Sequence, residues 1–215
     1  MKISLICLLL VYFVLNVAAL CQDLNDEFKI VGYLPYYRTD VVDVSVGQYL
    51  DDLIYFNLRL NADASLNTSL ISNGIRKVQE IKRLYGVRTQ ICIGGWYTTE
   101  GIHFAPVIQN DSLRSKLVQN LLEFCLDQDF DGVDYDWEHP QNDAETNAYA
   151  DLFVETKEAF KPHGKIVSAA VSRNLFFPAR AYEALDKIHI MAYNGETALN
   201  YKFGVTSANA YLERN

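Results

Sequence analysis

Three acidic residues alternate with apolar and aromatic ones in the segment Asp131-Gly-Val-Asp-Tyr-Asp-Trp-Glu-His-Pro140. Side chains two residues apart on a β-strand share a face, so Asp134, Asp136 and Glu138 would line one face of a strand. Neighbouring acids of this row would lie about 6.5–7 Å apart at the backbone, given the rise of a strand. Because their charges repel, one carboxyl is expected to keep its proton while a neighbour is ionised. The segment therefore predicts an acid–base site.

Two other interpretations of the acidic row are less favoured. An exposed amphipathic strand has no reason to concentrate three like charges without an intervening Lys, Thr or Ser, because that arrangement lowers stability. A site for a hard metal ion needs further oxygen ligands, and we find no supporting Asp, Asn or Glu cluster at a neighbouring strand end. The four histidines (His103, His139, His163 and His189) show no zinc-ligand spacing. We expect neither a metal nor a cofactor.

The acidic row lies on one of six predicted strands that alternate with helical segments. Helical periodicity precedes Gly86, follows Asp111-Ser112 as a cap, and follows Asn142, which is placed to form a capping box with Glu145. This alternation predicts an α/β fold of right-handed βαβ units around a parallel sheet. An open doubly wound sheet and a closed eightfold barrel are both compatible with the pattern. The predicted strands are Ile30–Tyr36, Leu53–Leu60, Thr89–Gly94, Gly132–Glu138, Ile166–Val171 and Ile188–Tyr193.

Composition and charge narrow the classes of partner. The chain has 215 residues, of which 50% are hydrophobic and 21% charged, values typical of a globular domain. The formal net charge of −8 disfavours nucleic acid and anionic membrane surfaces as partners. Gly32-Tyr-Leu-Pro, at the first strand, lacks the glycine spacing of a nucleotide-binding loop. We expect a monomer that binds a neutral ligand.

The amino-terminal residues are typical of a secretory signal peptide. Lys2 precedes the apolar run Ile3–Leu15, which is shorter than the ~20 residues that a membrane-spanning helix needs. Small residues near Ala19 offer a cleavage site. Residues 1–21 are therefore predicted to be a signal peptide of a secreted, extracellular protein that does not associate with membranes after cleavage. Only Cys92 and Cys125 are clearly internal, so disulfides are not expected to build the fold.

The acidic segment resembles a known family signature. Asp131–Glu138 is similar to the D-x-x-D-x-D-x-E motif of glycoside hydrolase family 18, the chitinases and their relatives. Three other segments resemble motifs of that family in the same order. Gly32-Tyr33 resembles its opening G-Y, Cys92–Tyr97 its S-x-G-G-W at the end of the third strand, and Met191–Asn194 its M-x-Y-D on the sixth. The resemblance covers nearly all of the chain after the leader.

This resemblance implies a (β/α)₈ TIM barrel with its site at the C-terminal ends of the strands. It also implies cleavage of β-1,4-linked N-acetylglucosamine polymers such as chitin with retention of configuration. Glu138 would be the general acid that protonates the glycosidic oxygen, while the 2-acetamido oxygen of the sugar attacks the anomeric carbon. Asp136 would accept the acetamido N–H and stabilise the oxazolinium-like intermediate. Asp134 would hold Asp136 and modulate its proton.

Further site residues follow from the same resemblance. Tyr193 would donate its hydroxyl to the acetamido oxygen, and Trp96 would stack on a sugar ring. The expected residues that contact chitin or its oligosaccharides are Tyr193, Met191, Tyr33, Trp96, Asn194 and His139. Asp131, Gly94 and Gly95 would be structural parts of the motifs. This chain departs from the family pattern at Cys92, Asn194 and His139, where a Ser, an Asp and a Tyr are usual.

Length is the largest departure from the family. A TIM barrel typically needs about 250 residues, whereas this chain carries about six of the eight βα units, and Ser207–Asn215 would begin the sixth helix. Residues 22–215 are therefore predicted to be an incomplete catalytic domain, with little or no turnover outside a longer parent enzyme. Alternative functions are an endo-β-N-acetylglucosaminidase, a peptidoglycan hydrolase or a non-catalytic carbohydrate-binding protein. The retained Glu138 favours an enzyme for the complete protein.

Overall fold

The structure is a computed structural model that describes residues 29–96, 101–172 and 175–191. The chain divides into two compact units, residues 1–30 and Val31–Asn215. Of the first unit only Lys29 and Ile30 are described, and both are exposed and lie outside any helix or strand. The predicted signal peptide at residues 1–21 lies outside the described residues, as does the helix predicted at residues 207–215.

The described part of the second unit is built on one sheet. Its strands are β1 (Val31–Pro35), β2 (Asp52–Leu60), β3 (Leu66–Asn67), β4 (Arg88–Trp96), β5 (Gly132–Glu138), β6 (Ile166–Ser172) and β7 (Lys187–Met191). Six strands are parallel and follow the order β1-β2-β4-β5-β6-β7, and the short β3 pairs antiparallel with β2. The six parallel strands coincide with the six predicted ones apart from their end residues, so the prediction of a parallel α/β sheet is confirmed.

The sheet is curled, as contacts across its concave face between strands far apart in its order show. Tyr33 on β1 has its hydroxyl 2.9 Å from Nδ1 of His189 on β7, although these strands stand at opposite ends of the order. Lys187, at the start of β7, forms an ion pair with the buried Asp52 at the start of β2. Parallel strands that curl in this way form the incomplete barrel that the sequence predicts.

Helices cover the convex face in the crossovers between strands. They are α1 (Ile75–Tyr85), α2 (Phe104–Ile108), α3 (Asp111–Asp127), α4 (Asp143–Phe160) and α5 (Ala179–Ala184). The first crossover, from β1 to β2, contains two 3₁₀ helices (Tyr36–Arg38 and Val44–Tyr49), and a third (Lys161–His163) extends α4. None of the described helices combines the length and the apolar character required to traverse a lipid bilayer.

Two predicted helix boundaries are confirmed. Gly86 ends α1 in the left-handed conformation, with φ of 69°, which glycine adopts without steric cost. Asn142 caps α4, because its side chain accepts a hydrogen bond from the backbone N–H of Glu145 at 3.0 Å. Glu145 reaches back to the backbone N–H of Gln141 at 2.8 Å, one residue before the cap. These contacts satisfy N–H groups that a helix start leaves without partners.

The predicted cap of α3 is wrong by one position. Asn110, not Asp111-Ser112, precedes the helix: its backbone is extended, and its Oδ1 accepts from the N–H of Leu113 at 3.1 Å. Asp111 occupies the first helical position, where its charge favourably faces the positive end of the helix dipole. Asn and Asp are about equally good caps, so composition alone did not identify which residue takes the position.

The alternation along β5 separates the core from the concave face. Trp137 points outward and stacks on Phe104 of α2 with ring centroids 5.6 Å apart. Tyr135 packs against Phe153 of α4 at 5.5 Å. Burying large aromatic side chains stabilises a fold by about 1.5–3 kcal/mol each, so these contacts fix which side of β5 faces the helices. The even-numbered residues of β5 must then face the interior of the curled sheet.

Candidate active site

A cavity of about 350 Å³ opens at the C-terminal ends of the parallel strands. It is lined by residues of five strands and of the first 3₁₀ helix: Tyr33, Pro35, Tyr37, Phe56, Asp136, Glu138, Ala170, His189, Ile190 and Met191. Two of the three predicted acids are therefore part of its wall. Ligand sites of barrel folds lie at this end of the strands.

Burial decreases along the acidic row from the interior toward the mouth of the cavity. Asp134 is fully buried, Asp136 is 8% exposed, and Glu138 is half-buried. All three side chains lie on the concave side of β5, where the period of two had placed them. The most exposed acid is thus the one nearest to where a bound ligand would enter.

Asp134 is surrounded by hydrogen-bond donors. The hydroxyl of Tyr33 donates to Oδ2 at 2.8 Å, and the hydroxyl of Ser168 on β6 donates to Oδ1 at 2.5 Å. Nδ1 of His189 lies 3.2 Å from Oδ1. Since the single proton of Tyr33 points to Asp134, the contact of Tyr33 with His189 requires a proton on Nδ1. Both carboxyl oxygens of Asp134 are therefore occupied by hydrogen bonds from the protein.

Asp136 and Glu138 retain protons more strongly than ordinary carboxyls do. Burial raises the pKa of Asp136 from 3.8 to about 8, and the neighbouring charges of Glu138 and Asp134 add to this effect. Oδ1 of Asp136 is buried and has no hydrogen-bond partner among the described residues. Burial also raises the pKa of Glu138, an effect that His139 opposes. Near pH 7 Asp136 therefore carries a proton.

The raised pKa of Asp136 predicts a pH-dependent cost in stability. The folded protein keeps this proton up to about pH 8, whereas the unfolded chain loses it near pH 4. The contribution of Asp136 to the free energy of unfolding is therefore fully present below about pH 4 and is lost as the pH rises toward 8. Asp136→Asn stays neutral, so we expect its free energy of unfolding to exceed that of the wild type by about 5 kcal/mol at pH 8. Near pH 4 the two should be equal. Urea titrations at both pH values measure this difference.

The matched control for this experiment is the exposed Asp40. Asp40→Asn removes the same charge outside the cavity and should leave the pH dependence of the unfolding free energy as in the wild type. If Asp136→Asn and the wild type lost stability in parallel between pH 4 and pH 8, the proton would not reside on Asp136 in the folded protein.

Strand β4 packs beside the acidic row and repeats its alternation. In the parallel register Cys92 pairs with Asp134, Gly94 with Asp136, and Trp96 with Glu138. Burial, with the adjacent Asp134, raises the pKa of the Cys92 thiol well above its ordinary value, so the thiol stays protonated. Trp96, the last residue of β4, is 50% exposed rather than buried in the core.

A family model for glycosyl hydrolases family 18 matches residues 29–214. The chain belongs to this family. Among curated proteins it is similar to probable chitinase 10 of Drosophila melanogaster, with 33% identity over 128 residues that make up 55% of this chain and 6% of that protein. It is also similar to probable chitinase 2 of the same fly, with 30% identity over 133 residues, 56% of this chain and 27% of that protein. The matched part of the chain thus spans less than a third of the length of each of these family 18 relatives.

Solved family 18 structures share the fold. A chitinase from the chitin utilization locus of Flavobacterium johnsoniae matches 87% of this chain and 64% of its own, with a TM-score of 0.72 and 24% identity. A Cycas revoluta chitinase variant, solved in complex with (GlcNAc)₄, matches 87% of this chain and 65% of its own, with a TM-score of 0.75 and 21% identity. The curled parallel sheet is therefore part of the TIM barrel of this family.

The remaining predicted site residues lie in different places. Met191 lines the cavity, whereas Tyr193 and Asn194 lie outside the described residues. His139 is half-buried and is not among the described residues that line the cavity. Asp131, at the start of β5, accepts from the backbone N–H of Thr89 at 2.8 Å and pairs with Lys82 at 3.0 Å, away from the rest of the row. Its contacts therefore tie β5 to its neighbours.

Two residues of the family 18 site were not identified from the sequence. Ser168 is the one buried polar residue of the strand Ile166–Ser172, and its hydroxyl donates to Asp134. His189 has no zinc-ligand spacing in the sequence, yet it contacts Tyr33 and Asp134 and lines the cavity. The period of two along β7, which puts His189 on the same face as Met191, was the available signal. No group of three or more His, Cys, Asp or Glu side chains in the described ranges is placed to hold a metal ion.

Proposed function

We propose that the protein is a secreted glycosidase that hydrolyses β-1,4-linked N-acetylglucosamine polymers with retention of configuration. The observation that carries the proposal is the graded row Asp134, Asp136 and Glu138, which ends in a cavity at the barrel mouth. The names of the family 18 relatives, chitinases of flies and other organisms, support chitin as the substrate. The signal peptide predicted at residues 1–21 supports secretion.

The proposed first step uses the proton of Glu138. Glu138 gives its proton to the glycosidic oxygen as the bond from that oxygen to the anomeric carbon breaks. The 2-acetamido oxygen of the same sugar forms the new bond to that carbon, so the enzyme supplies no nucleophile. Positive charge then develops on the acetamido group. Asp136 can pass its proton toward the newly ionised Glu138 and become the anion that faces this charge.

In the second step the proton that Asp136 gave to Glu138 returns to Asp136, which leaves Glu138 as a carboxylate. The Glu138 carboxylate takes a proton from a water molecule, whose oxygen attacks the anomeric carbon and displaces the acetamido oxygen. Two inversions at one carbon give net retention. Throughout, the carboxyl oxygens of Asp134 accept hydrogen bonds from Tyr33 and Ser168, which leaves Asp136 as the member of the pair that exchanges a proton with Glu138. By the sequence resemblance, Tyr193 would orient the acetamido oxygen, while Met191 and Tyr33 contact the sugar.

The anomer of the first product tests this mechanism. The full-length protein is incubated with chitotetraose and chitopentaose, and ¹H NMR follows the anomeric protons before mutarotation. We expect the β-anomer to appear first. First appearance of the α-anomer would contradict a retaining mechanism.

A substrate panel tests the assignment of the polymer. Chitin oligosaccharides, a high-mannose N-glycan and peptidoglycan are supplied in parallel to the same full-length protein. We expect release of sugar from the chitin oligosaccharides. Cleavage restricted to the N-glycan or to peptidoglycan would assign a different family 18 activity, and binding of chitin oligosaccharides without cleavage would indicate a carbohydrate-binding protein.

A further inference from the structure

A buried amide lies beneath the acidic row, one layer further into the barrel. Gln90 on β4 is fully buried, and its Nε2 lies 3.0 Å from the carbonyl oxygen of Val133 and 2.7 Å from Oγ of Ser168. Buried polar side chains are costly unless they are hydrogen-bonded. The backbone ladder between β4 and β5 does not need this side chain, so a different role has to account for an amide at this position.

The chemistry of the groups fixes the direction of each hydrogen bond. The carbonyl oxygen of Val133 can only accept, so the atom of Gln90 that faces it is the amide nitrogen. That nitrogen can only donate, and Ser168 therefore accepts from Gln90. The one hydroxyl proton of Ser168 is then left for Oδ1 of Asp134, 2.5 Å away. The result is a polarised chain from Gln90 through Ser168 to Asp134.

We propose that Gln90 is a positioning residue of the acidic row. By holding Ser168 as a donor to Asp134, it keeps the negative charge of the row on Asp134 and leaves the proton on Asp136. Without Gln90, no donor fixes the direction of the Ser168 hydroxyl, which is then free to rotate away from Asp134. Asp134 then competes with Asp136 for the proton. The catalytic consequence rests on the proposed function, whereas the location of the proton does not.

The other groups around Asp134 do not replace this link. The titratable side chains that face the pair are Tyr33 from β1, Cys92 from β4, Glu138 from β5 and His189 from β7. Burial raises the pKa of both Tyr33 and Cys92 well above neutrality, so each stays uncharged. Tyr33 donates to the other oxygen, Oδ2, and the contact of His189 with Oδ1 is longer, at 3.2 Å, than that of Ser168.

Carboxyl NMR tests the proposal without requiring turnover. The full-length protein is labelled with ¹³C at the aspartate carboxyl carbons and titrated, with Asp134→Asn and Asp136→Asn used to assign the signals. In the wild type, the change in carboxyl chemical shift at the titration step of higher pH should occur at Asp136. In Gln90→Met, which keeps the volume but removes both donors, at least about a third of that change should move to Asp134. A folded Gln90→Met in which Asp136 carries the whole step overturns the proposal.

Two further variants complete the test. Gln79→Met makes the same substitution on α1, where the amide donates to the carbonyl oxygen of Gln128, and it should leave the carboxyl titration unchanged. Should Gln90→Met fail to fold, Ser168→Ala removes the same link with Gln90 in place and should produce the same redistribution. Combining Ser168→Ala with Gln90→Met should add little to the effect of either single variant, because both remove the same series of hydrogen bonds from Gln90 through Ser168 to Asp134. If the effects of the two substitutions were equal and additive, Gln90 and Ser168 would not act through the same hydrogen bonds, which would contradict the proposal.

Kinetics separate this inference from the proposed function. If the protein hydrolyses chitin oligosaccharides, Gln90→Met should lower kcat by about tenfold with KM nearly unchanged, because the side chain lies below the cavity and does not reach a ligand. If the wild type hydrolyses none of the substrates, the proposed function fails while the carboxyl titration still decides the role of Gln90.

Discussion

Glu138→Gln is expected to lower the hydrolysis of chitin oligosaccharides by at least about a thousandfold. The amide has nearly the same shape as the carboxylic acid but cannot release a proton to the glycosidic oxygen. Glu138 lines the cavity at the mouth of the barrel, so its replacement leaves the stacking and apolar surfaces for the sugar intact. Binding of chitotetraose, measured by calorimetry, should therefore remain within a few-fold of the wild type.

The matched control for Glu138→Gln is Glu123→Gln. Glu123 lies exposed on α3, outside the cavity, so the same chemical change there should leave kcat and KM unaltered. Undiminished release of sugar by Glu138→Gln would remove Glu138 from the role of general acid. If Glu138→Gln lost both binding and turnover, Glu138 would instead be needed to bind the ligand.

Burial decides which of the three acids can serve as the proton donor. Asp134 is fully enclosed by donors of the protein, and no ligand can reach its oxygens. Asp136 lines the cavity but is mostly buried, and burial raises its pKa to about 8. It lies deeper than Glu138, so its proposed role is to pass a proton to Glu138 rather than to a ligand. Glu138 lines the cavity. Burial raises its pKa, and the neighbouring His139 opposes this effect. A proton donor must be reachable from the cavity and must favour its protonated form; Glu138 lines the cavity, and burial raises its pKa.

The acidic row could be predicted from the sequence because its geometry is local. The period of two along β5 places alternate side chains on one face, whatever the rest of the chain does. The strongly apolar partners on the other face, Tyr135 and Trp137, then select the helix-covered side by packing against Phe104 and Phe153. The alternation of side chains along β5 and the burial of its apolar face together are enough to orient Asp134, Asp136 and Glu138 toward the interior.

The surroundings of Asp134 could not be predicted in the same way. Ser168 and Gln90 are separated by 78 positions in the chain, and Tyr33 and His189 by 156. Each pair meets only because the sheet curls, which depends on the register and twist of several strands at once. A single buried serine, glutamine or histidine on a strand carries no local signal of its partner. The cap of α3 shows the same limit at short range, since Asn110 and Asp111 have similar capping preferences.

Gly94→Ala is expected to be the most destabilising substitution near the site, by at least about 4 kcal/mol. Gly94 has φ of +132°, which a residue with a side chain rarely adopts. A Cβ built at this position would lie 2.4 Å from the backbone oxygen of Asp136 and 3.0 Å from the backbone nitrogen of Trp137. Neither backbone atom can move without shifting β5 and the acidic row with it. Urea unfolding of the full-length protein, followed by tryptophan fluorescence, measures the loss.

Gly86→Ala separates the backbone conformation from the steric contact. Gly86 also has a positive φ, 69°, but a Cβ there would have nothing within 4 Å. Its replacement should cost only the left-handed conformation, about 1–2 kcal/mol. The difference between the two variants then measures how closely β4 approaches β5 beside Asp136. Equal losses would mean that β5 can retreat from β4 at little cost, and the acids of the row would not be held in place by the strand that borders them.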